Sequence, residues 1–89
     1  MRAIVSVIGK DQVGIIANVC SLLAQHDVNI LDISQTVLQE YFAMVMLADV
    51  SMCPIPFDEL CKIMRDAGTE RALTIRLQRE DIFEAMHRI

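Results

Sequence analysis

Glycine, proline and aromatic side chains are scarce in this chain of 89 residues, which holds three Gly, two Pro, one Tyr, three Phe and no Trp. So few glycines and prolines leave no room for low-complexity or disordered tracts. Aromatics make up 4 % of the chain against 54 % hydrophobic residues, so any core must be built from aliphatic side chains, Met and Ala. Basic residues are also short. Eight Lys and Arg against twelve Asp and Glu give a net charge of −4, which speaks against a nucleic-acid footprint. The longest unbroken apolar stretch, residues 41–48, falls far short of the roughly 18–20 residues a membrane span needs. After Arg2 the first apolar run is broken at Ser6 and ends at Gly9-Lys10-Asp11, with no small-residue cleavage site, so no signal peptide is expected. Cys20, Cys53 and Cys61 form an odd set with no C-x-x-C pair. That points to a reducing compartment and against a disulfide framework. The expectation is a cytoplasmic chain with one core, burying roughly 60–65 % of its unfolded surface.

What is present is strong hydrophobic periodicity. Residues 3–8, Ala-Ile-Val-Ser-Val-Ile, predict a strand stopped by Gly9. Residues 9–14 form a turn segment with glycine at both ends. From Gly14 the period becomes helical, with Ile15, Ile16, Val19, Leu22 and Leu23 on one face and an end near His26-Asp27. Residues 30–38 return to period two: Leu31, Ile33 and Val37 alternate with Asp32, Ser34 and Thr36. Gln39-Glu40 is the expected turn into a second long strand over residues 41–50, although it lacks the Asn-Gly signature. Pro56 suits the first turn of another helix, with Asp58 and Glu59 favouring its N-terminal dipole and Gly68 as its C′ stop. Leu73, Ile75 and Leu77 mark a fourth strand, and Ile82, Phe83, Met86 and Ile89 lie on one side of a tail helix over residues 80–89.

The order βαββαβ predicts an α+β, ferredoxin-like plait over residues 1–79: four antiparallel strands with two helices on one face, followed by the helical tail. In the third strand both alternating sets, Tyr41/Ala43/Val45/Leu47 and Phe42/Met44/Met46/Ala48, are apolar. The helices can cover only one, so the other is expected to meet the tail, a partner subunit or both.

The fold hosts unrelated functions, so the site must decide. Metal chaperones of this shape carry C-x-x-C in the first loop, and residues 9–14 have neither Cys nor His. RNA-recognition modules display aromatics on the central strands, and the first strand here has none. An acylphosphatase-like loop would want Arg, and Lys10 is the only basic residue of this one. No nucleophile–base–orienter set and no carboxylate pair in an apolar cleft is present, so catalysis is not expected. Neither His26 nor His87 has a second ligand at metal spacing, and no metal or other cofactor is implied. Cys20 and Cys61 read as small core filling on the two helices, Cys53 as a loop thiol.

The loop Gly-Lys-Asp-Gln-Val-Gly-Ile-Ile resembles the strand–loop–helix opening of ACT domains, small regulatory modules that bind amino acids. Their pattern is Gly-x-Asp-x-x-Gly-Ile, then a helix, then an Asn-Ile start to the second strand. Gly9, Asp11, Gly14 and Ile15 fit the loop, and Val28-Asn29-Ile30 fits the strand start. Residues 30–35 and the tail are similar to stand-alone single-ACT-domain proteins of bacteria and archaea. Many family loops have Pro where Val13 stands, so this loop is expected to be less stiff. The resemblance implies a ligand held between this loop of one subunit and the second strand of the next, at Asp11, Gln12, Val13, Gly14, Ile15, Asn29 and Ile30.

The chemistry of those residues agrees. A helix N-terminus suits a carboxylate, and Gly14 admits it close to the backbone. Asp11 can take an ammonium group, and Asn29 offers both a donor and an acceptor. Each also has a plain structural use: Asp11 as a helix cap, the glycines and Asn29 as turn residues. The expectation is a regulatory module that binds an amino acid or similar small ligand and acts as a homodimer or higher homo-oligomer on a regulated protein, with neither nucleic acid nor membrane as partner. The alternative is a ligand-free adaptor that docks a protein on the apolar second face and the tail.

Overall fold

The computed structural model describes residues 1–82. Its elements are β1 (Arg2–Lys10), α1 (Ile15–Gln25), β2 (Asn29–Leu38), β3 (Tyr41–Asp49), α2 (Phe57–Glu70) and β4 (Leu73–Arg79). The strands form one antiparallel sheet in the order β2-β3-β1-β4, the ferredoxin-like plait. Residues 80–82 are helical. The rest of the expected tail helix, with Phe83, Met86, His87 and Ile89, lies outside the described residues.

The core follows from period two on the strands and period 3.6 on the helices. Ala3, Val5 and Val7 of β1, Phe42, Met44, Met46 and Ala48 of β3, and Leu73, Ile75 and Leu77 of β4 point to one side and are buried. Against them pack Ile15, Val19 and Leu23 of α1 with Leu60 and Met64 of α2. Of β3's two apolar sets, the Phe42 set is therefore the core. The Tyr41 set faces away from the helices, where Tyr41 and Val45 are exposed.

Glycine behaves differently from its expected role twice. Gly9 does not stop β1: the strand continues through Gly9 and Lys10, opposite Phe42 and Tyr41. A Cβ on Gly9 would stand 2.6 Å from Leu73 Cδ2 and 3.1 Å from the Ala72 carbonyl, so its absence lets β4 approach. Gly68 is not a C′ residue either. It is buried inside α2, which runs on to Glu70, and a Cβ there would lie 2.8 Å from both Ile75 Cγ1 and the Leu73 carbonyl oxygen. The helix thus lies against β4 through a bare backbone position. Pro56 stands one place earlier than expected, at the N-cap, with Asp58 and Glu59 in the first turn.

In β2 a register shift at Leu31 lets Ile30 oppose Ala48 and Ile33 oppose Met46, so both face the helix side. The alternation that put Leu31 with Ile33 on one face is therefore broken by a bulge. The helix layer stops short of this edge strand. Every β2 residue except Ile30 is exposed, including Ile33, Val37 and Leu38.

Candidate ligand site

The site is built where β1 ends and α1 begins. The Asp11 N–H donates to the Glu40 carbonyl at 2.7 Å, tying the loop to the β2–β3 turn, where Gln39 adopts φ 55°. The Gln12 side-chain amide donates to the Arg71 carbonyl at 3.0 Å, tying the same loop to the end of α2. Val13 is fully exposed at the apex. Gly14 is the N-cap of α1 at φ 85°, ψ 11°, a left-handed conformation that a side chain would strain.

No side chain caps α1. The cap role open to Asp11 is therefore not the one it plays: its exposed carboxylate makes no hydrogen bond or ion pair among the described residues. The first N–H groups of α1 consequently lack a side-chain partner, and they carry the positive end of the helix dipole. Asp11, Gln12, Gly14 and Ile15 line an open hollow of about 170 Å³ with Ile16, Ala17 and Phe42. Ile15 sends its side chain into the core, so the backbone is what it offers here.

Asn29 and Ile30 lie elsewhere. Asn29 opposes Asp49 and Ile30 opposes Ala48, whereas Leu38 opposes Tyr41, which in turn opposes Lys10. Within one chain the start of β2 therefore sits at the end of the sheet away from the loop. Asn29 lines a separate open hollow with Ala24, Asp27, Val28 and Met52, and Ile30 packs on the core. Phe42, Ile16 and Ala17 were not singled out from the sequence. Phe42 reaches the hollow because its register sets it opposite Gly9, at the end of β1 from which the loop departs.

Other polar groups bond within the fold. His26 closes α1, its Nδ1 donating to the Leu22 carbonyl at 2.9 Å. All three thiols are free. Burial pushes the Cys20 and Cys61 thiols up, with nearby Asp58 adding to the effect on Cys61, whose Sγ donates to the Leu77 carbonyl at 3.4 Å. Hydrogen bonds from the Ser51 hydroxyl and N–H lower the Asp49 carboxyl. Among the described residues no three His, Cys, Asp or Glu side chains converge as a metal site, and no helix is long and apolar enough to cross a membrane.

Fold and loop together define a class: a βαββαβ module whose first loop presents free backbone donors beside an unpartnered carboxylate. Comparison with known proteins agrees. The model of the ACT domain matches residues 2–78. A UPF0237 protein of Clostridium acetobutylicum is 49 % identical over 89 residues, covering all of both chains. One from Methanocaldococcus jannaschii is 48 % identical over 88 residues, covering 99 % of this chain and 98 % of that one. A solved structure, an ACT domain protein from Streptococcus pneumoniae, superposes with a TM-score of 0.83 at 40 % identity, over 98 % of each chain. The chain belongs to the ACT domain family, a family of ligand-binding regulatory modules.

Proposed function

We propose that this protein is an amino-acid-binding regulatory module whose site is completed across a homodimer. The observation that carries this reading is the uncapped N-terminus of α1, which stands beside the partnerless Asp11 carboxylate in the hollow floored by Phe42. An amino acid needs both: N–H groups and a dipole for its carboxylate, an anion for its ammonium. The hollow is shallow because one wall is missing, and β2 is the free edge beside it. If the β2 strands of two copies pair antiparallel about an axis normal to the sheet, Asn29 and Ile30 of one copy come beside Val37 and Leu38 of the other. They then close the loop's hollow. This accounts for site residues that stand at opposite ends of one chain.

The mechanism is differential affinity. A ligand that touches both copies favours the paired arrangement, and a regulated protein reads that arrangement. Three free thiols fit a cytoplasmic setting.

A thermal-shift screen of the full chain against the twenty amino acids at millimolar concentration tests the reading. A ligand at 100 times its Kd adds about 2.7 kcal/mol. The expected result is a rise in Tm with one chemical subset, abolished by Asp11→Ala. A flat response to all twenty overturns it and favours the adaptor, whose docking surface would be the exposed Tyr41 side of the sheet.

A further inference from the structure

The sheet face turned away from the helices carries an independent observation. Read across from β2 to β4, its rows run Asp32–Leu47–Ile4–Gln78, then Ser34–Val45–Ser6–Arg76, then Thr36–Ala43–Ile8–Thr74, and end at Leu38–Tyr41–Lys10. The two central strands form an apolar stripe in which Ile8 is 55 %, Tyr41 52 % and Val45 44 % exposed, while Ile4 and Leu47 are half-buried. The charges beside it are segregated. Asp32 lies on the β2–β3 half, and Lys10 and Arg76 on the β1–β4 half, whereas Asp49 already stands 3.9 Å from the N-terminal ammonium and Arg2 is already paired with Glu80. Among the described residues neither Asp32 nor Arg76 has an ion-pair partner.

We propose that two copies of this chain pack sheet to sheet on this face, about a twofold axis parallel to the strands. Such a rotation lays β2 over β4 and β3 over β1 of the second copy. Leu47 then faces Ile4, Ala43 faces Ile8, and the Tyr41 ring faces Lys10 across the interface, a cation–π geometry. Arg76 of the second copy stands opposite Ser34, one row from Asp32 and within the reach of its side chain. The other twofold arrangement, with its axis across the strands, lays β4 over β4 and β1 over β1. It sets the cationic halves against each other and the anionic halves likewise, which costs association. Charge segregation therefore selects the parallel axis.

The area is sufficient. Four strands about 4.8 Å apart and about 30 Å long present roughly 550 Å² per copy. Two copies bury about 1,100 Å², above the roughly 1,000 Å² of a specific interface. Aligned packing keeps the strand directions of two sheets within about 30° of each other, as this axis does. This interface uses the flat of the sheet and leaves the β2 edge free, so with the edge pairing proposed above it gives a tetramer.

Sedimentation velocity of the full chain over a concentration series tests it with three variants: Val45→Lys, Arg76→Asp, and the exchange Asp32→Arg with Arg76→Asp. All three positions are exposed, and circular dichroism checks that each variant is folded. Wild type is expected at twice the mass of Val45→Lys. Arg76→Asp, which sets two carboxylates together, should raise the dissociation constant of this step tenfold or more. The double exchange should restore it to within about threefold, because the twofold axis repairs both ends at once. Val45→Lys at the wild-type mass overturns the proposal, whether the face is bare, covered by residues 83–89 or kept for another protein. Loss in Arg76→Asp without rescue by the exchange also overturns it. The amino-acid response of Val45→Lys, read by thermal shift, depends on the loop and the β2 edge alone. The two readings can therefore fail separately.

Discussion

At the scale of single residues, the clearest lesson is what Asp11 does not do. Asp at a helix entrance ordinarily caps, and its loss then costs about 0.5–2 kcal/mol. Here Gly14 holds the N-cap and Asp11 makes no side-chain bond among the described residues. Asp11→Ala should therefore change the urea midpoint by less than about 0.5 kcal/mol equivalent, as an ordinary surface change does, while the amino-acid thermal shift disappears. A variant that loses stability as well would show a cap after all. Gly68 gives the opposite case. Alanine there gains up to about 1 kcal/mol of helix propensity, but its Cβ meets the Leu73 carbonyl at 2.8 Å, a backbone atom that cannot swing aside. Overpacking of this kind costs about 1–3 kcal/mol, so a net loss of about 1 kcal/mol or more is expected in urea titration.

At the scale of elements, the two helices stabilise the sheet through few, fully buried side chains. Leu60 and Met64 of α2 are inaccessible to solvent, and truncating either to Ala should cost about 2–5 kcal/mol, measurable by the same titration. The helices also carry the two thiols raised by burial, Cys20 and Cys61. A group whose pKa is higher folded than unfolded contributes stability that is complete below the unfolded value and is lost as pH rises through the folded one. The thermal midpoint should thus hold at neutral pH and decline above about pH 8.5, where unfolded thiols ionise. Replacing both cysteines by Ala should flatten that alkaline limb. If the limb persists unchanged, burial of these two thiols is not its cause. β2 is the element whose residues were best patterned and least buried. Its alternation predicts a half-buried strand, yet the helices stop short of it, so its apolar side chains wait at an edge.

At the scale of the whole molecule, the ligand reading and self-association are linked. A ligand bridging the loop of one copy and β2 of the next must tighten pairing by the same factor that pairing tightens its own binding. With couplings of 1–3 kcal/mol, the dimer dissociation constant should fall about 5–150-fold at saturating ligand. Dilution series by sedimentation, with and without the active amino acid, measure this directly. An unchanged dissociation constant would mean that one copy holds the ligand alone.

Hydrophobic period, turn residues and the order of elements determined the plait from sequence alone, because a right-handed βαβ crossover leaves little topological choice. The loop Gly9–Asp11–Gly14–Ile15 was legible for the same local reason: its residues are neighbours in the chain, and backbone geometry there is a short-range matter. The tertiary structure decided which apolar set of β3 became core, since both sets read alike and only the placement of the helices distinguishes them. It also decided that Gly9 and Gly68 serve close packing against β4, a demand made by residues far along the chain that no local pattern carries. Finally, it placed Asn29 and Ile30 at the far end of the sheet from Asp11. Proximity in a strand–loop–helix pattern is one-dimensional, and whether two segments meet depends on the direction in which each strand runs.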